Sequence, residues 1–490
     1  MKTSRQTLLL LDRVALHSRQ QPREIALKQV GENRNITWQS LHTAAAQLSR
    51  ELRTNLSPGS VVLLVVENEP AFIAAYLGIL LADLKVFPLT PESTSREITA
   101  AAATSGAEAI VASQTTFEQS GLSLRNWTNR QIDEMFTAES AGDFTIQPSQ
   151  HAAMLLNSSG TTSEPKVVHR GAFALNAVTE NCWQSVDFNE SDHVLAAVPL
   201  CHSFGVEHGL LAPLAAGSCV HLCRGFDLPL ILDALRNGIT ILPGVPFLFE
   251  AIAHQAASDL PGLKVRHAYS AGAPLPAAVA ASLQTKLRLP LGQVYGCTEV
   301  GSVTFSNPQR SDFNSSSAGQ PMNNVHIKLH PDSGEVVIRA DSMFDQYLNC
   351  ADPLSGTDLT ASALTDDGYF RTGDLGRFDA HGNLCLTGRL KLLIDVGGQK
   401  VNPLEVEQVL CEHPAVAECV VLPFAISETV TRLKAIVVAR GSLPPTAEEL
   451  RRFAKQRLSV YKVPRVFELR QSLPRSPAGK VLRQQIEPVK

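Results

Sequence analysis

The sequence predicts an α/β protein. A large N-terminal domain of parallel βαβ-type sheets should carry a small β-rich subdomain, and a small mobile α+β domain should follow it. Three features support this. Short apolar, β-branched runs alternate with stretches of helical spacing over most of the chain. From about Val325 that rhythm gives way to short alternating strands and turns. After Gly388-Arg389 a compact unit begins with strands and helices of its own.

The elements can be justified in order. Between Trp38 and Leu52, residues Leu41, Ala44, Ala45, Leu48 and Leu52 fall on one side, the spacing of a helix with one buried face. Ser60 to Val66 is apolar and β-branched, as a strand buried on both faces requires. Ala71 to Ala82 reads as a helix, Lys85 to Leu89 as the next strand and Ala107 to Ala112 as another. Strands separated by helices imply right-handed crossovers and a parallel sheet. Ala152 to Leu156 is a further buried strand, and Gly171 to Val178 is compatible with a helix.

The middle repeats the pattern. His193 to Val198 and Ser218 to Leu222 read as strands around an apolar helix from Gly209 to Ala216, and Ile239 to Leu242 runs into Pro243. Gly334 to Ile338 and Gly382 to Leu386 are the short strands of the β-rich part. The last unit has a helix from Pro403 to Cys411, strands at Glu418 to Leu422 and Lys434 to Val438, and a charged helix from Thr446 to Leu458. In that helix Glu448 and Arg452 stand four apart, a favourable exposed pairing. A boundary near Arg389–Lys391 gives domains of residues 1–388 and 389–490.

With 490 residues the chain exceeds one small core, and 44% hydrophobic with 18% charged residues is ordinary for a soluble globular protein. A net charge of −4 and the lack of a long basic run argue against a nucleic-acid binder. The 9 cysteines form no Cys-x-x-Cys pair, so they read as single thiols in a reducing compartment. Leu8 to Leu11 meets Asp12 at once and is too short for a secretion signal. No stretch reaches the roughly 18 apolar residues of a membrane helix. The expectation is a cytoplasmic protein without a membrane span.

The most informative stretch is Asn157-Ser158-Ser159-Gly160-Thr161-Thr162-Ser163-Glu164-Pro165-Lys166. A buried strand precedes it. Glycine lets backbone N–H groups face an anion, the hydroxyls donate hydrogen bonds and Lys166 adds positive charge, so the loop is suited to phosphate. It lacks the Gly-Lys-Ser/Thr ending of a Walker A loop. In isolation a polar surface turn would have the same composition.

Other segments follow in order: Tyr295-Gly296-Cys297-Thr298-Glu299, Tyr369-Phe370-Arg371-Thr372-Gly373-Asp374, Gly388-Arg389-Leu390-Lys391 running to Gly397-Gly398-Gln399-Lys400, and Pro474-Arg475-Ser476-Pro477-Ala478-Gly479-Lys480. Together with the loop, these resemble the motif set of the acyl-adenylate-forming superfamily: acyl- and aryl-CoA ligases, peptide-synthetase adenylation domains and firefly luciferase. In type the chain is most similar to the acyl- and aryl-CoA ligases. The resemblance covers nearly the whole chain.

It implies a chemistry. Joining a carboxylate to AMP makes its carbonyl attackable, and the enzyme must stabilise a crowded, negatively charged phosphorus centre with cations and N–H donors. By resemblance, Ser158, Ser159, Gly160, Thr161, Thr162 and Lys166 would hold the ATP β- and γ-phosphates. Thr298 would touch the reacting phosphate and Glu299 would bind Mg²⁺. Gly272, Ala273, Tyr295 and Gly296 would lie about the nucleotide, Asp374 at the ribose and Arg389 at the ribose–phosphate. Lys480 would bridge the carboxylate and α-phosphate in the transition state. Read singly, Thr298-Glu299 could be a capped helix start, Asp374 a turn residue and Lys480 a solvated tail lysine. The chain departs from the family pattern at Ser163 and Val167, both usually glycine, and at Leu392, where an acidic residue often follows the hinge.

In peptide-synthetase adenylation domains an aspartate in the region of Pro199 to Phe204 binds the amino acid's ammonium. Here that position falls near Phe204, which cannot pair with a cation. The expected substrate is therefore an aliphatic or aryl acid without an α-amino group, although Glu207 stands one turn away. His202 would border the carboxylate, and Phe204, Ser270, Val300 and Gly301 would line the acyl pocket. Lys391 would be the hinge about which the C-terminal domain turns, bringing Gly397 and Gly398 to the thiol tunnel. The acyl group would pass to CoA or, alternatively, to the phosphopantetheine of a carrier protein. A degenerate nucleotide-binding protein and luciferase-type oxidation remain as further readings.

Overall fold

The computed structural model describes residues 6–137, 146–158, 166–255, 262–348, 359–396, 399–427, 430–458, 460–475 and 481–486. The chain falls into two compact units, one of residues 1–326 and 338–370, the other of 327–337 and 371–490. The α/β class expected from the sequence is the class observed.

The first unit contains two large sheets. One has seven strands in the order Gln346–Leu348, Val167–Gly171, Ala153–Asn157, Lys85–Pro88, Val61–Val65, Ala107–Ala112, Arg125–Thr128. The other has nine: Gln320–Pro321, Gly301–Ser306, Leu291–Cys297, His267–Ser270, Ile241–Gly244, His193–Ala196, Cys219–Leu222, Ile25–Gln29, Arg34–Thr37. From Leu291–Cys297 to Ile25–Gln29 the neighbours run parallel, as the βαβ rhythm requires. The helix Pro70–Leu81 is buried along its whole length, which explains why it has no polar face. The helix Trp38–Asn55 starts at Thr37, whose hydroxyl accepts from the Ser40 N–H.

The structure adds elements that helical and strand periodicity did not reveal. Beyond the hydroxyl-rich loop the chain does not enter a helix directly. Val167–Gly171 first turns back as a strand antiparallel to Ala153–Asn157, and the helix Ala172–Val186 follows. Val167 pairs with Asn157 and is 2% exposed, so valine at this position fills the core. The apolar stretch read as one helix from Gly209 begins as a π-turn, Glu207–Leu211, and becomes α-helical at Ala212–Ala216. Such turns often mark functional sites, because they re-aim side chains.

Topology selects where a ligand can sit. In the nine-stranded sheet the chain leaves His193–Ala196 towards Cys219–Leu222 on one side, then continues on the other through Ile241–Gly244, His267–Ser270 and Leu291–Cys297. That reversal leaves a crevice at the carboxyl ends of these strands. Buried Asn68 spans the two sheets' connections. Its amide donates to the Ala196 and Val198 carbonyls, and its Oδ1 accepts from the Leu200 N–H.

The second unit has a four-stranded sheet in the order Val325–Leu329, Glu335–Ala340, Phe370–Phe378, Leu384–Arg389, and a three-stranded sheet of Val416–Ser427, Val430–Ala439 and Val466–Arg470. The helices Pro403–Cys411 and Ala447–Lys455 share a core with the latter through Val406, Leu410, Val421, Leu433, Val437, Leu450 and Ala454. Thr446 and Glu449 close a reciprocal capping box at the start of the charged helix. Among the described residues no helix is long and apolar enough to cross a membrane.

Asp83 organises the turn that feeds the strand before the hydroxyl-rich loop. It sits at φ 60°, and its Oδ1 accepts from Ser149 Oγ at 2.6 Å and from the N–H groups of Gln150, His151 and Ala152. Asp83→Ala leaves these donors unmet and places a β-carbon at positive φ without a local hydrogen bond. It should cost about 2–4 kcal/mol. The chain's 3 tryptophans, Trp38, Trp127 and Trp183, all lie in the first unit, so thermal unfolding followed by tryptophan fluorescence reads the loss there.

Candidate active site

The hydroxyl-rich loop is anchored at both ends. The Ser158 N–H donates to the Lys166 carbonyl at 2.8 Å, closing the hairpin whose strands carry the loop. Ser159, Gly160, Thr161 and Thr162 lie outside the described residues, as do Ser163, Gly397, Gly398 and Lys480.

Lys166 is half-buried, and its ammonium lies 4.6 Å from the centre of the Tyr347 ring. It has no carboxylate partner among the described residues. Tyr347 belongs to the strand Gln346–Leu348, which pairs with Val167–Gly171 and sets Tyr347 opposite Val168. The Tyr347 hydroxyl donates to Glu299 Oε1 at 2.8 Å. One tyrosine thus joins the loop's cation to the carboxylate expected to hold a metal. Glu299 Oε2 has no hydrogen-bond partner among the described residues, which suits a carboxylate that takes Mg²⁺ together with substrate oxygens.

Thr298 and Glu299 do not begin a helix. They form the turn of a hairpin between Leu291–Cys297 and Gly301–Ser306, with Tyr295 and Gly296 on the incoming strand. A β-carbon on Gly296 would meet the Gly301 carbonyl oxygen at 2.1 Å, so only glycine lets these backbones approach. Gly272 and Ala273 are exposed just beyond His267–Ser270, with Gly272 at φ 86°.

His202 follows the strand His193–Ala196 and precedes the short helix Ser203–Val206. Burial lowers its pKa, partly offset by Glu92, which favours the uncharged ring. The Phe204 ring packs 4.8 Å from His208 and 6.2 Å from Tyr269, the neighbour of buried Ser270. Val300 is buried, and Gly301 opens the strand behind it at φ 73°.

Glu207 is not available to a ligand. It is 1% exposed, and Arg170 Nη1 donates to its Oε1 at 2.7 Å. Ser203 Oγ also donates to Oε1, while the Ser302 N–H and Oγ donate to Oε2. Burial works to raise its pKa, but the Arg170 charge and these hydrogen bonds outweigh that and hold it below the ordinary value. Both Glu207 oxygens thus already accept hydrogen bonds from within the protein.

In the second unit Asp374 is 5% exposed and pairs with Arg389, whose Nε donates to its Oδ1 at 2.6 Å. The adjoining strands place these two residues directly opposite each other. Lys391 lies in a short 3₁₀ turn, Leu390–Leu392. Sequence reasoning missed Tyr347, Asn68, Arg170 and Ser302. Only Arg170 carried a signal, as a charged residue at an inward position of a β-branched run.

Comparison with known proteins places this geometry. The model of the AMP-binding enzyme family matches residues 14–348, and that of the AMP-binding enzyme C-terminal domain matches residues 405–480. The chain is 30% identical over 396 residues to a malonate–CoA ligase of Arabidopsis thaliana, covering 73% of this chain and 63% of that protein. It is 27% identical over 481 residues to an oxalate–CoA ligase of the same plant, covering 92% of each. Among solved structures, O-succinylbenzoate coenzyme A synthetase (MenE) from Bacillus subtilis, in complex with ATP and magnesium ion, aligns with a TM-score of 0.84 at 25% identity over 98% of this chain and 99% of that one. ATP-bound MatB from Rhodopseudomonas palustris aligns with a TM-score of 0.89 at 21% identity over 98% of both chains, a likeness of fold.

Two expectations follow from the geometry. Tyr347→Phe keeps the ring under Lys166 but loses the hydrogen bond to Glu299, whereas Tyr347→Ala loses both. ATP–pyrophosphate exchange should fall by about threefold to tenfold in the first and by about a hundredfold in the second. The second expectation concerns pH. Burial pushes His208 down to about 4 from an ordinary 6.5, so between those values the unfolded chain binds a proton that the folded one does not. Its contribution to stability is complete above pH 6.5 and is lost as pH falls towards 4. A shift of that size is worth roughly 3 kcal/mol at its full extent. Fluorescence-detected melts of the wild type should weaken over this window, and His208→Gln should flatten that part of the slope.

Proposed function

This chain belongs to the AMP-binding enzyme family, and from that premise we propose that it activates a carboxylic acid lacking an α-amino group as its acyl-adenylate and passes the acyl group to the thiol of CoA. The arrangement of Lys166, Tyr347 and Glu299 carries this reading: a cation and a carboxylate held by one tyrosine beside the hydroxyl-rich loop.

The residues divide the work. The loop's N–H and hydroxyl groups, with Lys166, bind the β- and γ-phosphates of ATP. Tyr347 orients both Lys166 and Glu299, so each is positioned before ATP arrives. Mg²⁺, held by Glu299 and phosphate oxygens, would shield the pyrophosphate charge. Thr298, on the same turn, reaches the reacting phosphate. Lys480 bridges the carboxylate and the α-phosphate as their charges meet. The uncharged His202 ring borders the carboxylate without competing for it. In the second unit, Asp374 accepts hydrogen bonds from the ribose hydroxyls, and Arg389, which donates to Asp374, reaches the ribose–phosphate. The division at residues 388/389, with rotation about Lys391, belongs to the same proposal: one position for adenylation, another in which Gly397 and Gly398 approach the thiol.

The choice of acid rests on charge. Phe204 offers no charge, and the closed Arg170–Glu207 pair leaves Glu207 no carboxylate oxygen to offer a cation. An ammonium there would lose solvation without gaining a partner. The names of the relatives, malonate–CoA ligase and oxalate–CoA ligase, support an unaminated acid and CoA as acceptor.

A panel of carboxylic acids, each beside its α-amino analogue, tests the reading by ATP–pyrophosphate exchange, repeated with CoA or a phosphopantetheinylated carrier protein and read for thioester. Each acid should be preferred over its amino analogue by at least about a hundredfold in kcat/KM, which needs only about 2.7 kcal/mol. Lys480→Ala should cut exchange by orders of magnitude and spare thiolysis of supplied acyl-adenylate. Preference for the amino acids, thioester on the carrier alone, or equal loss of both half-reactions would each reject the corresponding part.

A further inference from the structure

We propose that His193, Cys219 and His221 form a binding site for a soft d¹⁰ metal ion, of the Zn²⁺ or Cu⁺ type, at the end of the large sheet opposite the candidate active site. His193 opens the strand His193–Ala196, and Cys219 opens the neighbouring parallel strand Cys219–Leu222. Their register sets Cys219 beside His193, and strand alternation puts His221 on the same face as Cys219. These are amino ends of parallel strands, and the carboxyl end of His193–Ala196 leads to His202. The site is therefore separate from the residues assigned to adenylation.

The geometry is that of a ligand set. One donor atom from each of the three residues lies within 4.8 Å of the other two. His193 Nδ1 and His221 Nε2 are 2.9 Å apart, as in a shared hydrogen bond. Two imidazoles bound to one ion at about 2.0–2.1 Å stand somewhat over 3 Å apart, so the rings need part by only a few tenths of an ångström. Cys219 and His221 are 7% and 8% exposed, whereas His193 is half-buried and offers a route from solvent. Two imidazoles and one thiolate select a borderline or soft ion and leave a fourth position open.

The protonation states fit. Burial, with His193 and Lys28 nearby, pushes His221 down to about 3, and burial likewise lowers His193. Both rings are thus neutral, the form that ligates. Burial pushes the Cys219 thiol up to about 11, so the thiol is protonated before an ion arrives. Binding forms a metal–sulfur bond and releases that proton to solvent. The N–H shared by the two rings moves to the outward nitrogen of its ring, so the imidazoles release none. Lys28 and Lys264 add positive charge nearby and Asp192 adds negative charge. With the thiolate, Cu⁺ would add no net charge and Zn²⁺ would add one, so the two ions differ in electrostatic cost.

The cluster of Cys182, Glu207 and His208 makes a useful contrast. Its atoms are equally close, but all three residues are buried, and Glu207 is already committed to Arg170, Ser203 and Ser302.

The test uses the full chain, stripped with a chelator. Cd²⁺, a thiolate-absorbing stand-in for Zn²⁺, is titrated in one arm, and Cu⁺ is measured against a chromogenic chelator in the other. At least one arm should show a site that releases one proton per ion, with sulfur-to-metal absorption in the Cd²⁺ arm. Cys219→Ser should abolish the absorption and weaken binding by at least about a hundredfold. His193→Gln, at a half-buried position, should weaken it by at least about tenfold. Cys411→Ala removes an exposed thiol and should change neither. A fluorescence melt of each variant without metal confirms folding. Failure of both ions to bind, unchanged binding in folded Cys219→Ser, or loss only in Cys411→Ala would overturn the proposal.

Discussion

The buried ion pair between Arg170 and Glu207 is the constraint on which the rest of the site depends. Arg170 is carried by the strand that leaves the hydroxyl-rich loop, and Glu207 by the turn that follows His202 and Phe204. The partner of Glu207 Oε2 is Ser302, three residues beyond Glu299. Three distant parts of the chain therefore meet at one carboxylate. The pair also dictates Gly301. A β-carbon there would stand 2.6 Å from Arg170 Nη2, 2.8 Å from Val178 Cγ2 and 3.0 Å from Glu207 Oε1. A pair of this kind contributes little net stability, because desolvation offsets the attraction. Removing either partner alone, however, strands a charge in the interior at a cost of about 3–5 kcal/mol. What the pair supplies is register: the loop hairpin, the acyl segment and the Glu299 turn cannot slide independently.

A second layer of constraint comes from the sheets. Parallel strands end together, and the connections leaving His193–Ala196, Ile241–Gly244, His267–Ser270 and Leu291–Cys297 emerge on one edge. Asn68, at the corresponding edge of the other sheet, hydrogen-bonds the backbone between Ala196 and Leu200. His202 thus sits on a segment fixed by a side chain from the neighbouring sheet. The short helix Ser203–Val206 and then the π-turn Glu207–Leu211 follow it.

Much of this was legible in the sequence, for identifiable reasons. Fully buried elements declare themselves through continuous apolar runs, which is why the helix Pro70–Leu81 and the strands Val61–Val65 and Ala107–Ala112 were anticipated nearly to their ends. The family of the chain was readable because its motifs occur in a fixed order, so each supports the others. Short pairings were harder. The strand Val167–Gly171 is too brief for periodicity to separate it from the helix after it, and Gln346–Leu348 is briefer still. Tyr347 was invisible for a related reason: its position is set by pairing with Val168, far away in sequence. Glu207 was seen, but its role depended on Arg170, and no spacing rule links two residues brought together only by tertiary packing.

The electrostatic character of the pocket wall then follows from packing rather than from composition. Glu207 is a buried acid one turn beyond Phe204. It accepts from Arg170, Ser203 and Ser302 before any substrate arrives. The pair as a unit has no net charge, so it attracts neither an ammonium nor a carboxylate. Ser203, half-buried, receives from Arg170 and donates to Glu207, so its hydroxyl proton is already committed. Under the proposed function, shape and the Phe204 ring, backed by buried His208 and Tyr269, then select the acyl group. A wall whose charges are paired with each other discriminates among neutral groups by fit, at about 1–3 kcal/mol per methylene.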